Sequence, residues 1–111
     1  MARTRSATLG PAARPVALPD DMEAGPKAEG RVELPFHVRW SGPPISYDLD
    51  DPRDRARAYE QVLREGTETD VMYYVRTDAL LEVWDQMVLP PAVRRAWANW
   101  LERHRGIRPA C

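Results

Sequence analysis

All nine aromatic residues of this 111-residue chain lie between Phe36 and Trp100. Aromatic side chains bury the largest apolar areas, so a core is expected to form around this stretch. Residues 1–30 hold none of them, and proline, glycine and alanine dominate there. Such a segment cannot bury enough apolar surface to offset the entropy of ordering it. We therefore predict a disordered tail over residues 1–30, one small domain over residues 31–106 and a disordered end over residues 107–111.

Composition removes several classes of protein. No apolar run reaches the roughly 18 residues that a membrane span needs, and no apolar signal segment follows the first residues, so we expect a cytoplasmic protein. The single cysteine, Cys111, excludes an intramolecular disulfide framework and a cysteine-based zinc site. The formal net charge is -1, so the charge of the whole chain does not indicate nucleic-acid binding.

Residues 31–40 alternate between apolar and polar side chains. The apolar positions are Val32, Leu34, Phe36, Val38 and Trp40. A period of two predicts a half-buried strand, and Pro35, which has no N–H to donate, makes it an edge or bulged strand. Turn-forming residues at 41–44 and a second alternation over residues 45–49 predict a return strand. The two strands would form a short hairpin.

Four helices are predicted after the hairpin. Residues 51–52, Asp-Pro, are typical of a helix N-cap and first helical position, and Gly66 lies where a glycine ends that helix. Residues 90–91, Pro-Pro, begin the last helix, and Gly106 ends it. The predicted fold class is therefore mostly α: a small helical domain of about four helices, preceded by a short β-hairpin and a disordered N-terminal tail.

The two middle helices are separated by a short turn. Residues 67–70, Thr-Glu-Thr-Asp, resemble a capping box that opens a helix through Val75. Thr77 is the next N-cap candidate, for a third helix over residues 78–89. Its apolar residues cover an arc of about 200°, wider than a surface helix needs. Either this helix is central to the core, or part of its apolar face contacts another chain.

No pattern of residues indicates catalysis. The two histidines, His37 and His104, are not spaced as a catalytic pair with a third orienting group. The carboxylates of residues 48–54 are interrupted by Pro52 and lack the glycine of a calcium loop, so capping explains them better. No phosphate-binding loop, nucleophile elbow, zinc motif or dinucleotide fingerprint occurs. We therefore predict a non-enzymatic protein with no catalytic residue, no metal ligand and no cofactor.

Charge is distributed unevenly along the chain. Residues 48–85 contain eleven acidic residues and five arginines, whereas residues 90–111 contain five arginines and one glutamate. An acidic surface repels nucleic acid and complements a basic protein surface, although ordinary solvated helix faces would give the same pattern. Tyr73 and Tyr74 point in different directions on a helix, so one of them is a candidate for an exposed interface residue.

Five stretches of the sequence resemble a known family. They are Tyr-Asp-Leu (47–49), Ala-Tyr-Glu-Gln-Val-Leu-Arg-Glu-Gly-Thr (58–67), Asp-Val-Met-Tyr-Tyr-Val (70–75), Leu-Leu-Glu-Val-Trp-Asp (80–85) and Leu-Pro-Pro-Ala-Val-Arg-Arg-Ala-Trp (89–97). Over about residues 36–105 the chain resembles small actinobacterial antitoxins encoded beside AbiEii-type nucleotidyltransferase toxins. The resemblance implies a non-catalytic antitoxin that binds its toxin and blocks nucleotide transfer to tRNA.

On this hypothesis the partner is a nucleotidyltransferase-type toxin, and the contact residues form an apolar and an acidic set. The apolar set is Tyr73, Tyr74, Leu81, Trp84 and Met87, and the acidic set is Glu65, Glu68 and Asp70. We expect no membrane association and no direct nucleic-acid binding, and a homo-oligomer is left open. The alternative is a small DNA-binding transcriptional regulator whose helices at 68–75 and 78–89 imitate a helix-turn-helix, although the second helix carries three acidic residues and no basic one.

Overall fold

A computed structural model describes residues 16–39 and 45–110 of the chain. In this part, β1 (Arg31–Glu33) pairs with β2 (Ser46–Asp48) in an antiparallel hairpin. The helices that follow are α1 (Pro52–Glu65), α2 (Glu68–Tyr74), α3 (Thr77–Glu82) and α4 (Pro91–Arg105), with a 3-10 turn (Trp84–Gln86) between α3 and α4. The predicted fold class, a mostly helical domain of four helices behind a short hairpin, is confirmed.

The first strand is much shorter than the predicted strand over residues 31–40. The carbonyl of Pro35 accepts a hydrogen bond of 2.9 Å from the backbone N–H of Val38, so the chain turns here instead of pairing with β2. As a result Phe36, predicted on the buried face, is 78% exposed, while Val38 is fully buried. Residues 40–44, which include Trp40 and the predicted turn, lie outside the described residues.

α1 begins and ends where the sequence predicts. The side chain of Asp51 accepts a hydrogen bond from the backbone N–H of Arg53, and Pro52 occupies the first helical position. At the other end, the N–H of Gly66 donates to the carbonyl of Val62 at 2.8 Å. A Cβ at Gly66 would lie 2.8 Å from that same carbonyl oxygen, so the helix end has no room for a side chain.

The third helix is shorter than predicted. α3 ends at Glu82, and the rest of the predicted helix over 78–89 forms the 3-10 turn and an extended connection. The side chain of Arg94 donates to the carbonyls of Trp84 and Met87, at 3.4 and 2.5 Å, so these acceptors have partners although the helix has ended. Most of the apolar arc lies in the core, where its buried members are Leu80, Val83, Trp84 and Met87, whereas Val88 is 70% exposed.

Residues 16–30 pack against the helices, which differs from the disordered tail predicted over 1–30. Met22 and Ala28 belong to the buried core, and the carbonyl of Pro19 accepts a hydrogen bond of 2.7 Å from the indole N–H of Trp100. Composition did not indicate this packing, because it depends on apolar surface that the helices supply and that Leu18, Met22 and Ala28 cover. Residues 1–15 lie outside the described residues.

The last described residues also contact the helical domain. Gly106 ends α4 in the left-handed conformation, with φ of 69°, and reverses the chain. The carbonyl of Ala110 accepts a hydrogen bond of 2.6 Å from the indole N–H of Trp84, so the predicted disordered end makes specific contacts as far as residue 110. Cys111 lies outside the described residues. Among the described helices, none is long and apolar enough to cross a membrane.

Candidate functional site

The turn at residues 35–39 and α2 each carry an exposed aromatic side chain, and a polar contact joins these two elements. Phe36 is 78% exposed and Tyr73 is 44% exposed. His37, next to Phe36, places Nε2 2.6 Å from Oδ2 of Asp70, and Tyr73 lies three residues after Asp70 on α2. Residues three apart on a helix share a face. We call Phe36, His37, Asp70 and Tyr73 the aromatic surface.

The first turn of α2 holds Asp70 in place. The backbone N–H of Asp70 donates to the hydroxyl oxygen of Thr67, and the backbone N–H of Thr67 donates to the Asp70 carboxylate at 2.8 Å. This reciprocal capping box is the one that the sequence predicts. It fixes one carboxylate oxygen in a position where it also meets His37. The turn at residues 35–39 is therefore fastened to the start of α2.

The C-terminal end of α2 is held by the segment that precedes β1. Nζ of Lys27 donates to the carbonyls of Met72 and Val75 at 2.5 and 2.8 Å. The backbone N–H of Ala28 donates to the carbonyl of Tyr73 at 2.7 Å. These donors satisfy carbonyls that a helix end leaves without an intrahelical partner. Because burial disfavours the ammonium, the pKa of Lys27 is lowered. α2 thus presents Tyr73 from a helix fastened at both ends.

Asp70, predicted as an electrostatic contact, is hydrogen-bonded within the fold. Partial burial alone would raise its pKa, but hydrogen bonds from Thr67 and His37 outweigh burial and hold the pKa of Asp70 below its ordinary value. The carboxylate is therefore ionised at neutral pH, with its charge directed toward His37 and the helix N-terminus. Of the other acidic residues predicted as contacts, Glu68 is exposed and Glu65 is half-buried.

The predicted apolar contacts are placed at different depths. Tyr73 is exposed, and Tyr74 packs edge-on against it with ring centroids 4.9 Å apart. Tyr74 and Leu81 are half-buried. Trp84 and Met87, also predicted as contacts, are each only 3% exposed, because other parts of this chain cover them. The physical reason lies in α4, where the guanidinium of Arg94 lies 5.0 Å from the ring centre of Trp84.

Phe36 is the residue of this surface that the sequence prediction missed. Its position in the alternating pattern placed it on the buried face of a strand. The signal against that interpretation was Pro35, because a proline that cannot donate to a sheet ladder often begins a turn. The structure shows this turn, and it directs Phe36 outward beside His37.

Away from the aromatic surface, an open cleft of about 890 Å³ lies between residues 23–30, α1 and α3. Four of its charged side chains form two ion pairs: Arg55 with Glu82 at 3.0 Å, and Arg76 with Glu29 at 3.2 Å. Within the described residues, no group of three or more His, Cys, Asp or Glu side chains could hold a metal ion. The cleft offers no described arrangement of nucleophile, base and orienting group.

Comparisons with known proteins give no match to this chain. No family model matches it, and neither a curated protein nor a solved structure is similar to it. What the chain does must therefore be inferred from its surfaces and their chemistry.

Proposed function

We propose that this chain is a non-catalytic protein-binding module of the cytoplasm that docks on its partner through the aromatic surface. We further propose that the partner is a nucleotidyltransferase-type toxin, which this chain neutralises as an antitoxin. The observation that supports docking at this place is the 78% exposure of Phe36 next to a side chain fastened to α2. The sequence resemblance described above supports the identity of the partner.

Aromatic side chains held in place suit a binding surface for an energetic reason. A large ring contributes much apolar area on binding and loses little side-chain entropy, so aromatic residues often dominate interface energetics. Here the backbone on both sides is already ordered, because the His37–Asp70 contact of 2.6 Å fixes the turn and Lys27 fixes the end of α2. Binding to Phe36 and Tyr73 therefore costs little further ordering.

Charge around the aromatic surface favours a basic partner. Glu68, on the first turn of α2, and Glu33, at the end of β1, are both exposed and acidic. The enzyme that the resemblance implies acts on tRNA, and a tRNA-binding surface is basic because it neutralises phosphates. Acidic residues at the edge of an interface would steer association with such a surface and make it sensitive to salt. The aromatic residues would supply most of the affinity.

The DNA-binding alternative has less support from the geometry. α3, which would be the recognition helix, has only six residues, and two of its exposed side chains are Asp78 and Glu82. Base edges and phosphates are read mainly by Arg, Lys, Asn and Gln. Asp78 also pairs with Arg105 at 2.9 Å, so the basic end of α4 is partly neutralised next to it. We therefore do not propose this function.

The test uses the full chain and a purified nucleotidyltransferase encoded beside its gene. Calorimetry should detect a complex, and the chain should inhibit nucleotide transfer to tRNA. Replacing both aromatic residues, Phe36→Ala with Tyr73→Ala, should weaken binding by about 30-fold or ~2 kcal/mol. Both side chains are exposed, so the thermal unfolding of the variant should change little.

The matched control is Val88→Ala, because Val88 is 70% exposed and apolar but lies outside the aromatic surface. Its variant should bind as tightly as the unaltered chain. If the unaltered chain does not bind the nucleotidyltransferase, the proposed partner is wrong. If it binds and the double variant binds equally well, the proposed surface is wrong.

A further inference from the structure

The residues that follow α4 fold back onto it and make three polar contacts. We call residues 107–110 the return segment. Nη1 of Arg108 donates to Oδ1 of Asn99 at 2.6 Å and to Oε1 of Glu102 at 2.9 Å. Two residues further on, the carbonyl of Ala110 accepts a hydrogen bond of 2.6 Å from the indole N–H of Trp84. The return segment thus connects Trp84 of the 3-10 turn with Asn99 and Glu102 of α4, and we call the surface that it covers between these two elements the groove.

The walls of this groove are held by contacts that do not involve the return segment. The guanidinium of Arg94 lies 5.0 Å from the ring centre of Trp84 and also donates to the carbonyl of Met87. Asn99 and Glu102 lie on α4, a 15-residue helix whose apolar face is in the core. These contacts hold Trp84 next to α4 independently of the return segment. Two polar groups of the groove bind the segment that lies in it: the indole N–H of Trp84, and the pair formed by the Asn99 amide and the Glu102 carboxylate.

We propose that this groove is a second docking site, which takes an extended, arginine-bearing segment of a partner protein in place of the return segment. The chain's own residues are the template for that ligand. A guanidinium lies between Asn99 and Glu102, and a backbone carbonyl two residues later meets Trp84. A guanidinium presents several donors in a fixed plane, which suits an amide oxygen and a carboxylate side by side. This site shares no residue with the aromatic surface.

The return segment is held weakly enough to be exchanged. Ile107, Arg108 and Ala110 are all exposed, and Pro109 is half-buried. The Arg108–Glu102 pair is a surface ion pair, and such pairs contribute little to stability because solvent screens them. The intramolecular segment competes through its high effective concentration. A partner segment displaces it when further contacts outside the groove add to the same two polar anchors.

The test follows the indole N–H resonance of Trp84 by NMR in the full chain. Arg108→Glu reverses the charge that faces Glu102 and should release the return segment, moving the Trp84 resonance toward that of a solvent-exposed indole. A capped peptide, Gly-Ile-Arg-Pro-Ala, should then restore the original position. We expect the peptide to bind this variant about tenfold more tightly than the unaltered chain, whose own segment competes. A peptide with glutamate in place of arginine should bind about tenfold more weakly.

The control is Arg103→Glu, which makes the same charge change at an exposed position of α4. It should leave the Trp84 resonance and the peptide affinity as in the unaltered chain. If the charge reversal perturbs folding, Arg108→Gln is the alternative variant, because it removes the charge of residue 108 without reversing it and should still weaken the hold on the return segment. The proposal is overturned if the released variant does not respond to the peptide at millimolar concentration, or if it responds equally to the arginine-free peptide.

Discussion

Residues 16–30 and the return segment both lie over a tryptophan of the helical domain, but they cover it to different depths. The carbonyl of Pro19 accepts from the indole N–H of Trp100 at 2.7 Å, and the carbonyl of Ala110 accepts from that of Trp84 at 2.6 Å. The first hydrogen bond is buried and is accompanied by Met22 and Ala28 in the core. The second is accompanied mainly by exposed residues.

The difference between the two segments shows what holds an irregular segment in place. A hydrogen bond contributes a modest net amount because water competes for both partners, whereas burial contributes in proportion to apolar area. The same indole-to-carbonyl contact can therefore belong to a fixed part of the fold or to an exchangeable one. We expect residues 16–30 to unfold only with the whole domain, and the return segment to open locally.

The largest expected effect comes from Met22→Ala, which removes a side chain that is only 2% exposed. Truncating a buried methionine should lower the free energy of unfolding by about 2–4 kcal/mol, through lost burial and the cavity left behind. Urea unfolding of the full chain measures this loss. Asp20→Ala, at an exposed position of the same segment, is the control and should change little. A loss below ~1 kcal/mol for Met22→Ala would mean that residues 16–30 are held no better than the return segment.

An intermediate loss of stability is expected where residues 35–39 meet α2. Val38 anchors this turn in the core, and the hydrogen bond between His37 and Asp70 connects it to α2. Asp70→Asn removes the charged member of the capping box and should cost about 1 kcal/mol at pH 7. The folded-state pKa of Asp70 lies below its ordinary value of 3.8, so its contribution is fully present above that value. The contribution is lost as the pH falls through the lower, folded-state pKa.

The measurement is urea unfolding of both chains at pH 7 and at a series of values below pH 3.8, the ordinary value for this carboxyl. The difference in free energy of unfolding between the unaltered chain and the Asp70→Asn variant should narrow as the pH falls. Glu68→Gln, at an exposed position on the same helical turn, is the matched control. A gap that stays constant over this range would show that the carboxylate charge does not stabilise the junction.

The smallest effect is expected in the return segment. Ile107 is 47% exposed, so Ile107→Ala should change the free energy of unfolding by less than about 0.5 kcal/mol. Hydrogen exchange at the Trp84 indole should nevertheless become faster, because the segment over it opens more often. A destabilisation as large as that expected for Met22→Ala would remove the distinction between the two segments.

Features that depend on neighbours in the chain were predicted well. The N-cap at Asp51, the helix end at Gly66 and the capping box at Thr67 and Asp70 all lie where the sequence places them. Each depends on hydrogen bonds or steric limits between residues two to four positions apart. The break at residues 90–91 and the reversal at Gly106 are equally local, which is why the bounds of α4 also agree with the prediction.

The candidate sites depended on contacts between distant parts of the chain, which periodicity does not describe. The apolar pattern marked Trp84 and Met87 as candidate contacts, but Arg94 and Ala110 cover that region. The same kind of pattern marked Phe36 as buried, and the turn after Pro35 exposes it. An alternating or helical pattern says that a side chain is apolar, not which segment will cover it.

The sequence by itself determined the class of fold, the caps of α1, the N-cap of α2 and the C-terminal end of α4, because these follow from interactions within one or two helical turns. Only the tertiary structure decided which aromatic residues face solvent. The contacts that decide it join residues 81 positions apart for Trp100 and Pro19, 33 for His37 and Asp70, and 26 for Trp84 and Ala110. Exposure is a property of the packed chain, since it depends on how much surface the other segments leave uncovered.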